Sequence, residues 1–201
     1  MNLKKKIIIF KNDAVGDLVQ SLQSINNVIK RYSENEIIIY LSKRSKNFSF
    51  LLEKENINVK ILNYDLSIGE KIKIFKFLLI NDIDKIYILT PKNFYFYLPL
   101  FFRKIRFYGL CINSKNNYRR PVNFLRKFLY KFVINDREAI NKRKSTMDLQ
   151  NELTKDNQYN QKYNIKTSLA IKYHDDLNIK NYIYFHLKLS NFKKLGWGYN
   201  E

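Results

Sequence analysis

The chain has 201 residues, a formal net charge of +19 and 45% hydrophobic residues, with 15 Phe and 15 Tyr; it is too apolar and aromatic to be disordered and long enough for one well-packed domain or one domain and part of another. Cys111 is its one cysteine, which excludes an internal disulfide framework, suits a reducing compartment and points to a packing residue. The charge attracts polyanions such as nucleic acid, anionic lipid surfaces or phosphorylated substrates, although lysine is so abundant throughout that a solvated surface accounts for part of it.

Lys4, Lys5 and Lys6 precede a short apolar run, Ile7 to Phe10, with no small-residue cleavage site after it, so a strand is expected there and a signal peptide is not. Leu18, Leu22, Ile25 and Ile29, widened by Val28 and Tyr32, recur at helical spacing, and Ile37 to Leu41 is the next strand; together these form a βαβ unit. Ser45 to Glu55 and Ile68 to Ile80 read as crossover helices around a strand at Val59 to Leu62. Strands follow at Ile86 to Leu89 and Ile105 to Tyr108, with a helix over Asn93 to Arg103 interrupted by Pro99. The apolar stretch Phe94 to Phe102 is about half the length of a membrane-spanning helix, so no transmembrane segment is expected. Continuous rather than alternating apolarity in the strands predicts a parallel sheet covered on both faces.

Asn123 to Val133 reads as an amphipathic helix, with Phe124, Leu125, Phe128, Leu129, Phe132 and Val133 on one side, and Met147 to Leu153 as a short final helix. The polar stretch from Thr154 to Lys166 then reads as a linker. Beyond it, Ser168 to Ile171 is expected to be extended and Tyr182 to His186 to be a strand. The division is therefore 1–153 as a first, α/β domain, 154–180 as linker and 181–201 as the opening of a second domain that is missing or vestigial.

None of the five glycines forms the spaced signature of a dinucleotide fold or a phosphate-binding Walker loop, and two histidines with one cysteine make no metal-ligand cluster. What carries chemistry is the loop after the first strand, Lys11-Asn12-Asp13-Ala14-Val15, and the Gly16-Asp17 that follows it. In an open α/β sheet, ligands gather at the carboxyl ends of strands and at the helix starts behind them. Asp17 has two readings on its residue type: it or Asp13 caps the helix, or it is a general base at the mouth of the sheet.

Ile7-Ile8-Ile9-Phe10-Lys11, a short loop, Gly16-Asp17, three residues and Ser21-Leu22 resemble the opening of the bacterial heptosyltransferases, glycosyltransferase family 9. Gln23 stands where the family pattern has proline. Near the end, Tyr182 to His186 followed by Lys193-Lys194-Leu195-Gly196-Trp197 is similar to the first strand and phosphate loop of the family's second domain. The resemblance implies an α/β, Rossmann-like, mostly parallel sheet with flanking helices, the amino-terminal half of a two-domain GT-B enzyme. It also implies inverting transfer of a sugar from a nucleotide-sugar donor to a lipopolysaccharide or other cell-envelope acceptor. Asp17 would be the general base, Gly16 would let substrate approach the backbone, and Lys11 and Lys194 would offset the diphosphate charge in place of a metal, Lys193 being indistinguishable from Lys194 by spacing. No metal or other cofactor is expected.

Arg119 and Arg120, ahead of the basic helix expected at Asn123 to Val133, are candidates for binding an anionic lipid-linked or oligosaccharide acceptor. The aromatic run Phe94 to Phe102, flanked by Arg103, Lys104 and Arg106, raises the same prospect, and an ordinary core-facing role is the alternative for both. The location that follows is cytoplasmic, peripheral on the inner face of the membrane. A basic, non-catalytic nucleic-acid-binding domain is a rival reading, but its basic residues are dispersed and no recognition motif appears, so no nucleic-acid partner is expected. A transferase remnant, inactive as this short chain, is the third.

Overall fold

A computed structural model of the chain describes residues 5–52, 55–113, 122–136 and 145–155. Six strands, β1 (Lys6–Lys11), β2 (Ile37–Ser42), β3 (Ile57–Leu62), β4 (Ile83–Ile88), β5 (Arg106–Asn113) and β6 (Lys131–Asp136), form one parallel sheet in the order β3-β2-β1-β4-β5-β6. This is the Rossmann-like, doubly wound order, and its switch point lies between β1 and β4. Ile7 through Phe10 have no exposed surface, because β1 is flanked by strands on both edges and by helices on both faces. In register, Ile8 lies between Ile38 of β2 and Ile86 of β4.

The α-helices among the described residues are α1 (Val15–Arg31), α2 (Ile68–Ile80), α3 (Asn93–Phe101), the short α4 (Val122–Leu125) and α5 (Thr146–Thr154). Ile8, Phe10, Ile38, Tyr40, Ile86 and Ile88 share one core with Ile74 and Leu78 of α2 and Tyr95, Phe96 and Leu98 of α3. Side chains alternate along a strand, so Ile7, Ile9, Ile37 and Ile39 face the other way, where α1 buries Leu18, Leu22, Ile25, Val28 and Ile29. Each such Leu, Ile or Val contributes about 1.5–3 kcal/mol when fully buried. Sharp helix starts come from capping boxes: Ser67 with Glu70 opens α2, and Ser145 with Asp148 opens α5. Pro99 falls in the last turn of α3, where the helix ends two residues later. Cys111 is fully buried, and burial pushes its thiol up to about 11, in keeping with a packing role.

Two expected elements are corrected. The helix expected over Asn123 to Val133 is instead α4, a 3₁₀ turn at Arg126–Phe128, and then strand β6. Leu129 is already extended, and Tyr130 N–H donates to Phe107 O at 2.9 Å, which starts the pairing of β6 with β5. Consecutive residues in a strand point to opposite faces, so Phe132 is exposed while Val133 is buried, whereas a helix would have put both on one side. The same apolar residues satisfy a helical stripe and a strand, and what decides between them is the open hydrogen-bonding edge of β5.

The crossover expected as a helix over Ser45 to Glu55 is a 3₁₀ segment, Lys43–Leu52. There the Ser42 hydroxyl accepts from Ser45 N–H at 3.2 Å, a local side-chain bond that competes with the α-helical pattern. Beyond Lys155, the expected linker, the segments at Ser168 to Ile171 and Tyr182 to His186, and the 181–201 domain start lie outside the described residues.

Candidate functional site

The carboxyl ends of β1, β2 and β4 meet around the loop Asn12 to Ala14. Lys11, the last residue of β1, is 1% exposed, and its Nζ lies 2.8 Å from Asp13 Oδ2. Thr90, two residues past β4, donates its hydroxyl to the same carboxylate oxygen at 3.0 Å. The hydroxyls of Ser42 and Ser45 donate to the Asp13 backbone carbonyl, the latter at 2.9 Å. Asn12 is held on both sides: its Oδ1 accepts from Tyr95 OH at 2.7 Å and its Nδ2 donates to Asn63 O at 3.1 Å. Lys92 Nζ donates to the Asn12 carbonyl at 3.2 Å.

Burial pushes the Asp13 carboxyl above its ordinary value of 3.8, against the opposing pull of the Lys11 ammonium; the Asp17 carboxylate adds to the rise and the Thr90 hydroxyl opposes it. Asp13 Oδ1 is buried with no hydrogen-bond partner among the described residues. Leaving such an acceptor unmatched costs about 1–3 kcal/mol. The pair is thus a buried charge unit that holds the loop, and Lys11 makes its ion pair inside the protein.

Asp17 lies one turn further on, exposed, in the first turn of α1. The N-cap of α1 is Ala14, extended in backbone and without a side-chain cap bond, so neither Asp13 nor Asp17 caps this helix. A carboxylate in a first helical turn is stabilised by the helix dipole by about 0.3–1 kcal/mol. Gly16 beside it is exposed, and a Cβ built there meets nothing within 4 Å, so the space beside it is open and no described neighbour requires a glycine.

The first turn of α1 is tied to α5 and to the end of β4. Ser21 Oγ lies 2.7 Å from the Asp17 carbonyl and 2.6 Å from Gln150 Oε1, and Gln150 Nε2 reaches Leu89 O at 3.4 Å. One helical turn further along α1, Ser24 donates to Asn151 Oδ1 at 2.8 Å. This buried polar seam sets the position of Asp17 relative to the strand ends.

Cations also border the mouth. Arg44 and Lys92 both approach the ring of Tyr64, at 4.4 and 4.3 Å from its centroid. Burial lowers the Lys92 pKa despite the neighbouring carboxylates of Asp65 and Asp13.

Of the residues expected from sequence, Lys11, Gly16 and Asp17 fall together at this end of the sheet, while Arg119, Arg120 and Lys194 lie outside the described residues. Thr90, Ser42, Ser45, Asn12, Lys92 and Gln150 were not singled out in the sequence. Thr90 and Ser42 shared one available signal, each directly following an apolar strand run. No group of three or more His, Cys, Asp or Glu side chains is placed to hold a metal among the described residues, and no described helix is long and apolar enough to cross a membrane.

No protein-family profile and no curated protein matches the sequence. Among solved structures, the glycosyl transferase family 9 protein from Veillonella parvula is similar at 15% identity and a TM-score of 0.51, over 90% of this chain and 52% of that one. E. coli ADP-heptose LPS heptosyltransferase II aligns at 20% identity with a TM-score of 0.46, over 67% of this chain and 36% of that one. E. coli heptosyltransferase WaaC with ADP aligns at 12% and 0.46, over 78% and 49%. The chain spans about half or less of the length of these proteins, and the V. parvula likeness bears on the fold alone: a six-stranded, Rossmann-like α/β sheet.

Proposed function

We propose that the chain forms the acceptor-side half of a metal-independent sugar-transfer site, with Asp17 as general base. The carboxylate takes the proton of an acceptor hydroxyl as that oxygen attacks the anomeric carbon of a nucleotide-activated sugar. The carbon–oxygen bond to the nucleoside diphosphate breaks with inversion, and the diphosphate leaves. The observation that carries this reading is an exposed carboxylate on the first turn of α1, at the switch point of the sheet, on a backbone whose carbonyl accepts from Ser21, itself bonded to Gln150.

Negative charge on the leaving group requires nearby cations. Lys92 and Arg44 at the mouth are suited to this, with Lys194 in the same part by the sequence resemblance. Lys11 acts from beneath the loop, through its pair with Asp13, rather than on substrate. The sequence resemblance supports a nucleotide-sugar donor and a lipopolysaccharide-type or other cell-envelope acceptor, met by Arg119 and Arg120 at the inner face of the cytoplasmic membrane.

The test is Asp17→Asn, followed by release of nucleoside diphosphate from a nucleotide sugar in the presence of a cell-envelope acceptor. Transfer should fall by about 10²–10⁴-fold, with the denaturation midpoint unchanged because the side chain is exposed. Near-normal transfer by the variant removes Asp17 from the mechanism.

A further inference from the structure

The outer surface of α2 carries large apolar residues between its lysines. Ile74 and Leu78 point into the core, yet Ile68, Ile72, Leu79 and Ile80 are each half or more exposed. A surface helix ordinarily turns a mostly polar face to water, and α2 instead exposes four large aliphatic side chains there. The apolar surface continues onto α3. Phe75 of α2 packs edge-on against Phe101, with ring centroids 5.5 Å apart, and Phe101 is itself 67% exposed. Of the aromatic run Phe94 to Phe102, Tyr95, Phe96 and Leu98 are core, so Tyr97 and Phe101 are its outward-facing members.

Exposed cations accompany this apolar face: Lys73 and Lys76 on α2, and Arg103 and Lys104 just after α3. Within α2 and α3 the one acidic side chain is Glu70, which is engaged in the cap of α2, while exposed Asp65 and Asp82 lie just before and just after α2. Apolar residues at half exposure or more, with four exposed cations (Lys73, Lys76, Arg103 and Lys104) against two exposed acids, match the boundary layer of an anionic bilayer, where acyl chains meet phosphate headgroups. A second copy of the chain is a poorer match, because a symmetric pairing sets one basic face against another.

We infer that the α2–α3 face docks on an anionic lipid surface, with Ile72, Leu79 and Phe101 entering the interface and Lys73 and Lys76 contacting headgroup phosphates. This gives a described face to the membrane location proposed above, and its test is separable from the transfer reading because vesicle binding neither needs nor excludes chemistry at Asp17.

The experiment is flotation of the full 201-residue chain with phosphatidylcholine vesicles and with vesicles rich in phosphatidylglycerol, far-UV circular dichroism confirming that each variant is folded. The chain should bind the anionic vesicles and not the zwitterionic ones. Ile72→Ser/Leu79→Ser/Phe101→Ser should weaken binding by about tenfold or more. Lys73→Glu/Lys76→Glu should weaken it far more than the charge-matched Lys43→Glu/Lys46→Glu, which alters exposed lysines of the β2–β3 crossover. Equal loss in the two charge variants, or undiminished binding by the apolar variant, overturns the proposal. So does lipid-free self-association of the wild type, seen by light scattering and abolished by the apolar variant, because the face is then a contact between copies.

Discussion

Replacing Lys11 with methionine keeps most of the side-chain volume and removes the charge that faces Asp13. At 2.8 Å the direct attraction between the two is about 6 kcal/mol for an effective dielectric constant of about 20. Desolvating both ions cancels most of that, so the pair itself contributes little net stability, while breaking it strands a buried carboxylate at a cost of about 3–5 kcal/mol. Asp13→Asn should cost a similar amount by stranding the Lys11 ammonium. The double variant should cost less than the sum of the two, with a coupling of about 2 kcal/mol or more. Urea denaturation followed by circular dichroism at neutral pH measures all four corners of the cycle.

The pH dependence adds a second reading of the same cycle. A carboxyl raised above 3.8 on folding binds protons more tightly in the native than in the unfolded state, so its contribution to stability falls as pH rises through the folded value and is recovered on acidification. Without Lys11 the rise is larger, and Lys11→Met should therefore lose less stability relative to wild type at mildly acidic pH than at neutral pH. Single-variant costs that add within about 0.5 kcal/mol, together with a pH-independent deficit, would refute the view that the two side chains act as one buried unit.

Gly109→Ala tests the correction at β6: the new Cβ would lie 2.9 Å from Leu129 Cδ1 and 3.0 Å from Phe96 Cε1. Overpacking of this kind should cost about 1–3 kcal/mol, read as a lower denaturation midpoint, and Leu129→Ala in the same chain should recover part of it relative to Leu129→Ala alone. Ser67→Ala removes the side-chain cap of α2 and should cost about 1 kcal/mol. Partial burial works against the Glu70 charge, but donors from Asn63 and Ser67 outweigh it and hold this carboxyl at about 2, below its ordinary 4.5. The stability it contributes is present above 4.5 and is lost as pH falls toward 2, so Glu70→Gln should reduce stability at neutral pH and make little difference in strong acid.

The strands were legible because a parallel sheet buries both faces of its members, and runs such as Ile7 to Phe10 and Ile37 to Leu41 have no other simple use. Helix α2 was legible at its observed bounds, Ile68 to Ile80, although the capping box of Ser67 and Glu70 that opens it was not singled out. The second half of Asn123 to Val133 was not, since Phe132 and Val133 fit either period and the choice belongs to a partner strand more than twenty residues upstream. Lys11 shows a similar gap at the site: its place at the end of β1 could be read, but whether its ammonium meets a ligand or an internal carboxylate depends on how the chain closes around Asp13. Thr90 and Gln150 become part of the site through contacts with residues 77 and 129 positions away, and no local pattern encodes that.

The loop from Asn12 to Ala14 makes few bonds to its own neighbours in sequence and many to Ser42, Ser45, Asn63, Thr90, Lys92 and Tyr95. It comes early in the chain, but its shape waits on residues made much later. A ribosome-bound chain that has exposed only β1, α1 and β2 has the Gly16-Asp17 segment without the geometry to use it. Slow amide exchange around Asp13 would accordingly report completion of the sheet from β3 to β4, and a lesion anywhere along that stretch would be felt first as a loosened site rather than as a lost strand.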